Sequence, residues 1–187
     1  MKIGITGSIA SGKTTASKIL SYRRGPLFSA DKVVKSFYKN SGFKKLLVKK
    51  FKIRKKSNLK NSLKKKILNN NSNIKKLEKI IHPLVRKEMK KFSTLHKKKK
   101  KIFYEIPLLI ESKLMKYFDV IIFIKAKKKF RLKRFIGTGG DKSLFSALNN
   151  KQLSDQKKIR FSHHVVVNEK NLHILKKKLL SIIKLYA

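Results

Sequence analysis

Eight consecutive residues, Gly7-Ser8-Ile9-Ala10-Ser11-Gly12-Lys13-Thr14, have the types and spacing needed to hold phosphate. The pattern is a glycine, four residues, a second glycine, a lysine and a hydroxyl. Glycines let the chain turn tightly with no Cβ in the way. Successive backbone N–H groups then point inward at phosphate oxygens, at the start of a helix whose dipole favours anions. Lys13 reaches the β- and γ-phosphates of a nucleotide, and the Thr14 hydroxyl is placed to hold Mg²⁺.

Such a loop works only between a strand and a helix, and the flanks supply both. Met1-Lys2-Ile3-Gly4-Ile5-Thr6 is a short apolar run suited to a buried strand, and Thr15-Ala16-Ser17-Lys18-Ile19-Leu20 reads as the first turns of a helix. Further on, Pro26–Ala30 is a short apolar run that ends at Asp31, where a strand yields to a helix. Asp31 suits an N-cap there, because its carboxylate accepts from the first N–H groups. From Ser41 to about Leu68 the pattern is helical and rich in lysine, and Asn69–Asn73 is a polar break. Ile74, Leu77, Ile80, Ile81, Leu84, Val85, Met89 and Phe92 recur at three- and four-residue steps and predict an apolar helix face. Pro83 interrupts it, which places His82 at a kink or at the start of a new helix.

Lys101–Ile106 reads as a strand, with Pro107–Ser112 opening a helix after it. Asp119–Ile124 is continuous, β-branched and suited to burial on both faces. Helices are expected at about 127–136, 142–150, 154–161 and 170–186, and a last strand at Val165–Val167. Gly137-Thr138-Gly139-Gly140-Asp141 is a flexible break between the first two of these helices. Alternating strands and helices imply an α/β fold, a three-layer α/β/α sandwich around a parallel sheet. The expected division is a core of about 1–37, 94–133 and 162–187, a helical insertion of about 38–93 and a lid of about 134–161.

The 187 residues suffice for one domain with a real core, and they include no cysteine. That excludes disulfides and thiol chemistry and fits a reducing cytoplasm. Neither a signal peptide nor a run of ~20 apolar residues is evident. Basic residues outnumber acidic ones 51 to 9, for a net charge of +42. Lysines are spread through nearly every segment without interleaved aromatics, which fits codon composition filling solvated faces better than a specific nucleic-acid surface. A weak, salt-sensitive affinity for RNA follows in either case. Acids are so scarce that Asp31 is the sole one in the first 77 residues, which marks each carboxylate as a candidate for a specific task.

The short chain, the lack of an Asn-Lys-x-Asp run and a basic, glycine-hinged segment late in the chain favour a small-molecule kinase over a GTPase or motor. The chain here resembles the dephospho-CoA kinases over nearly its whole length. The loop resembles the family's Gly-Gly-x-Gly-Ser-Gly-Lys-Ser, with Ser8 and Ala10 in place of two glycines. Ser29-Ala30-Asp31 resembles its Asp-Ala-Asp, keeping the second acid. Ile81–Arg86 resembles its His-Pro-Leu-x-Arg segment, Glu105–Glu111 its Val-Pro-Leu-Leu-x-Glu segment, Arg131–Arg134 its strand-to-lid helix and Gln152 its lid glutamine. Departures fall at Ser29, at the glycine stretch 137–141, where the family carries an arginine and an aspartate, and at His163-His164, where it carries Ala-Asp.

The resemblance implies transfer of the γ-phosphoryl group of ATP, with Mg²⁺, to the ribose 3′-hydroxyl of dephospho-CoA. The implied catalytic residues are Lys13, Asp31 and Arg134, with Arg134 lying over the transferred phosphate. ATP would be held by Gly7, Ala10, Ser11, Gly12, Lys13, Thr14 and Thr15. Asp31, His82 and Arg86 would contact dephospho-CoA, and Thr14 would hold the metal. Glu111 suits a structural role, capping or pairing inside the fold. Adjacent strand residues face opposite sides, so His163 and His164 do not suit a shared metal. Other expectations are no specific nucleic-acid partner and no membrane; oligomeric state is not readable from the chain. The competing readings are another nucleotide or nucleoside kinase and a basic RNA-binding protein with the same loop.

Overall fold

The computed structural model describes residues 1–53, 58–69 and 71–187, and of helical residues 60, 64, 67–69, 71 and 74 the backbone alone. Cα packing divides these into two units, Met1–Ser29 with Leu95–Ala187, and Ala30–Thr94.

The first unit is built on five parallel strands: β1 (Lys2–Gly7), β2 (Leu27–Ser29), β3 (Ile102–Glu105), β4 (Val120–Lys125) and β5 (His164–Val167), in the order β2-β3-β1-β4-β5. In β1, Ile3 is opposite Phe103 on one side and Val120 on the other. Parallel neighbours need long crossovers. The helices of this unit are α1 (Lys13–Ser21), α6 (Lys128–Ile136), α7 (Lys142–Asn150), α8 (Asp155–Arg160) and α9 (Leu172–Lys184).

Burial on both faces explains why β1 and β4 read as unbroken apolar runs. Ile3, Ile5, Phe103, Ile122 and Ile124 form one buried cluster with Ala16 and Leu20 of α1 and Leu175, Leu179 and Ile183 of α9. Each Ile, Leu or Phe among them contributes roughly 1.5–3 kcal/mol on leaving water. The alternate residues Tyr104, Ile121 and Phe123 point to the other face and are equally buried. There the Tyr104 ring meets Phe118 edge-on, with centroids 5.3 Å apart. The result is the three-layer α/β/α arrangement that the alternation of strands and helices predicts.

One expectation in this unit is overturned. Pro107–Ser112 does not open a helix. Lys113 takes a left-handed φ of 53°, and its successor Leu114 bonds back to the Leu109 carbonyl (3.0 Å), closing the coil after one turn. Leu109, Ile110 and Leu114 are all buried at this closed turn. The three glycines of the 137–141 break differ in conformation and surroundings. Gly137 is an ordinary right-handed helix end at φ −62°, whereas Gly139 holds φ +83°. A Cβ on Gly140 would lie 2.2 Å from the Phe135 ring.

The second unit is helical: α2 (Ala30–Phe37), α3 (Ser41–Phe51), α4 (Leu59–Asn69) and α5 (Asn71–Leu95). Phe43, Leu47, Phe51, Ile53 and Leu63 are its buried centre, and Leu77, Ile80, Ile81 and Leu84 of α5 pack on it, as their spacing predicts. Ile74, placed on the same face by the sequence, has its side chain outside the described atoms, as does the whole of Asn70 in the polar break. The helical pattern from Ser41 to about Leu68 is carried by α3 and α4; Lys52 takes a left-handed φ of 47° and its N–H closes the end of α3. Residues 54–57 of that span lie outside the described residues. Pro83 neither ends nor restarts a helix, since α5 continues through it. Asp31 is not the N-cap: α2 begins at Ala30, so Asp31 stands in the first turn, where a negative charge is still favoured.

Candidate active site

β1 delivers the chain at Gly7 and α1 takes it up at Lys13, so the eight-residue motif is the crossing between them. Ser11 N–H donates to Ser8 O (3.1 Å) and closes a turn inside the loop. Gly12 holds φ +92°, and a Cβ there would stand 2.2 Å from Asn168 Nδ2. This is a close approach that only glycine permits. The first-turn amides of α1, at Lys13, Thr14 and Thr15, point along the helix axis toward the loop.

Glu105 ends β3, beside Ile5 of β1, and is 2% exposed. It accepts a short hydrogen bond from Thr14 Oγ1. A hydroxyl and one buried carboxylate at a phosphate-binding loop are hard oxygen donors of the kind magnesium takes up alongside phosphate oxygens and waters. Among the described residues no cluster of three or more His, Cys, Asp or Glu could hold an ion by itself. The donor set therefore fits a magnesium that arrives with a nucleotide.

Basic and amide side chains brace the loop. Asn168 Nδ2 donates to Ser11 O (2.8 Å). Arg134, half-buried on α6, donates to Asn168 O (2.9 Å) and to Ser11 O (3.4 Å). On the other flank Gln152 accepts from Ile9 N–H (2.9 Å) and Asp155 accepts from Ser8 Oγ (2.6 Å). Buried Arg131 donates to Ala126 O (3.0 Å) and Asn149 Oδ1 (2.7 Å). Its burial lowers the guanidinium's pKa, and the charge of Asp155 opposes that shift. Glu111 pairs inside the fold: it holds the fully buried Lys158 ammonium at 2.8 Å and accepts from Leu153 N–H (3.2 Å). The 152–158 stretch is thus tied both to the loop and to the connection between β3 and β4.

Asp141 caps α7 by accepting from Leu144 N–H (2.7 Å). His163 Nδ1 accepts from Ile121 N–H (3.0 Å), while His164 meets the Tyr186 hydroxyl (2.6 Å), so the two rings serve separate contacts.

The structure thus gathers Gly7, Ala10, Ser11, Gly12, Lys13, Thr14, Thr15 and Arg134 around one loop in the first unit. Asp31, His82 and Arg86 belong to the second unit. There Glu78, His82 and Arg86 form one row on α5 at four-residue steps. Burial lowers the pKa of His82; Glu78 opposes the shift and Arg86 reinforces it. Sequence reasoning left Glu105, Arg131, Asp155 and Asn168 without a role at the loop. The available signal was the rarity of acids, which singles out Glu105 and Asp155.

A parallel sheet in this order, with the loop between its central strand and the first helix, defines a P-loop kinase fold. Known proteins narrow the class. A family model described as dephospho-CoA kinase matches residues 1–173. The dephospho-CoA kinase of Rickettsia typhi is 34% identical over 98% of this chain and 96% of its own. Among solved structures, the TT1252 protein of Thermus thermophilus is similar with a TM-score of 0.83 at 24% identity, covering 100% of this chain and 98% of that one. The dephospho-CoA kinase from Campylobacter jejuni gives 0.63 at 22% identity, covering 100% and 97%. The chain belongs to the dephospho-CoA kinase family.

Proposed function

We propose that the protein transfers the γ-phosphoryl group of ATP to the ribose 3′-hydroxyl of dephospho-CoA, the last step of coenzyme A biosynthesis, in the cytoplasm. The observation that carries this reading is the Thr14 hydroxyl on the buried Glu105 carboxylate, at the mouth of a phosphate-binding loop in a chain of this family. Among the described residues no helix is long and apolar enough to cross a membrane.

In-line phosphoryl transfer is driven by positioning and charge neutralisation. The loop amides and the Lys13 ammonium hold the β- and γ-phosphates in this reading. Thr14, with Glu105 behind it, would hold Mg²⁺, which would supply charge neutralisation for the transferred phosphoryl group. Arg134 steadies the loop from α6 and presents its planar fork beside Ser11, where phosphate oxygens arrive. Asp31 orients or deprotonates the acceptor hydroxyl. His82 and Arg86, one turn apart on α5, contact dephospho-CoA, with residues 38–93 as its binding insertion. Residues 134–161 serve as the lid that excludes water. Gln152, Asp155 and Lys158 tie the end of this segment to the loop and to Glu111.

The test is acceptor-dependent ADP release. Dephospho-CoA is expected to stimulate it strongly, nucleosides and nucleotides hardly at all, and Asp31→Asn to lower it at least ~100-fold with ATP binding retained. Stimulation by a nucleoside in preference to dephospho-CoA would overturn the substrate assignment.

A further inference from the structure

Ala10 stands in the middle of the phosphate loop with a left-handed φ of +55°. A residue with a Cβ pays for that conformation, and glycine does not. Left to itself, the loop of this chain therefore has a weaker hold on its phosphate-ready shape than a loop with glycine at that position. Two bonds flank Ala10 on its amino side, and both come from the same short stretch. Ser8 Oγ donates to Asp155 Oδ1 (2.6 Å), and Ile9 N–H donates to Gln152 Oε1 (2.9 Å). Ser8 itself is a hydroxyl residue where a plain turn needs none, and its side chain is spent on this one bond. Asp155 and Gln152 are fixed in turn. Asp155 lies at the start of α8, three residues before the buried Lys158, which is anchored on Glu111. Arg131 approaches the carbonyl of Ile9 (3.5 Å), so the same residue is held from both its amide and its oxygen.

We propose that Gln152 and Asp155 are positioning residues for ATP, a clip that holds the loop in its phosphate-binding shape against the left-handed Ala10. This rests on the nucleotide reading of the loop. The clip touches no phosphate; it acts by keeping the bound conformation populated before the nucleotide arrives, and the apparent Kd, the intrinsic Kd divided by the fraction of loops already in shape, falls as that fraction rises. The Ile9 amide is committed to Gln152.

The measurement is MgATP affinity by calorimetry on the full chain, with Tm followed by circular dichroism. Asp155→Ala and Gln152→Ala are each expected to weaken binding about fivefold, the range of a single hydrogen bond. The loss falls on KM for ATP more than on kcat. Asp155→Asn, which keeps the accepting oxygen, is expected to recover most of it. The discriminating variant adds Ala10→Gly to Asp155→Ala: glycine accepts the left-handed φ without the clip, so affinity returns toward the parent value. If Asp155→Ala does not fold because Arg131 is stranded, Ser8→Ala removes the same bond from the loop end. Parent-like affinity in Asp155→Ala or Ser8→Ala overturns the proposal, and so does a loss that Ala10→Gly leaves unimproved. A parent chain that binds no MgATP would instead refute the nucleotide reading itself.

Discussion

Lys13 and Glu105 carry opposite charges at the same loop and make separable predictions. Removing the ammonium with Lys13→Ala takes away a group aimed at charge that builds in the transition state. A loss of about 100- to 1,000-fold in kcat/KM is expected, with Tm little changed, because the side chain is only half-buried. Glu105→Gln keeps the shape and removes the charge behind Thr14. The magnesium concentration for half-maximal rate is expected to rise about tenfold, and an unchanged magnesium dependence would remove Glu105 from the site. His164 yields a pH prediction. Burial first, and His163 second, hold its pKa below the ordinary 6.5. The unfolded chain therefore takes up the proton first, so stability is complete above about pH 6.5 and falls as the pH drops through it. His82, lowered by burial, acts in the same direction. Melting temperatures between pH 7.5 and 5.5 check this, and His164→Gln is expected to flatten part of the slope.

The elements show how far local sequence reaches. The strand, loop and helix at 1–22 were legible because each is specified by its own residues: an apolar run, two glycines, a helical pattern. β4 was legible for the same reason. Pro107–Ser112 was not, because the coil stops after one turn at the left-handed Lys113, a residue type that does not announce such a stop. Of the two alternatives at Pro83, a kink or a new helix, the new helix is excluded: a proline removes a single donor and one backbone bond, a loss that packing of Leu77, Ile80, Ile81 and Leu84 offsets. Pro83 is exposed, so Pro83→Ala restores the bond to the Lys79 carbonyl at no packing loss. A stabilisation of about 1–3 kcal/mol in denaturant unfolding is expected. The glycine stretch separates likewise. Gly137→Ala is expected to be neutral, while Gly139→Ala costs about 1 kcal/mol for its left-handed φ. Equal effects at the two positions would contradict that reading.

Across the whole molecule, the partners of the loop come from far along the chain. Asp155 meets Ser8 across 147 residues and Asn168 meets Ser11 across 157. No local pattern encodes such pairings, so the motif was readable while its bracing was not. The net charge of +42 acts at this scale too. Nine acids leave little to offset the self-repulsion of 51 basic side chains. Raising ionic strength from about 0.05 to 0.3 M shortens the screening length and is expected to raise Tm.

The proposed reaction moves a phosphoryl group from a nucleotide in this loop to one particular hydroxyl. Incubating the parent protein with magnesium, ATP and dephospho-CoA, and reading the product by phosphorus NMR, addresses that step alone. The expected spectrum gains a single phosphomonoester at the ribose 3′ position as ATP becomes ADP, and Lys13→Ala yields none in the same time. ADP formed without that resonance, or the same resonance from Lys13→Ala at the parent rate, would contradict it.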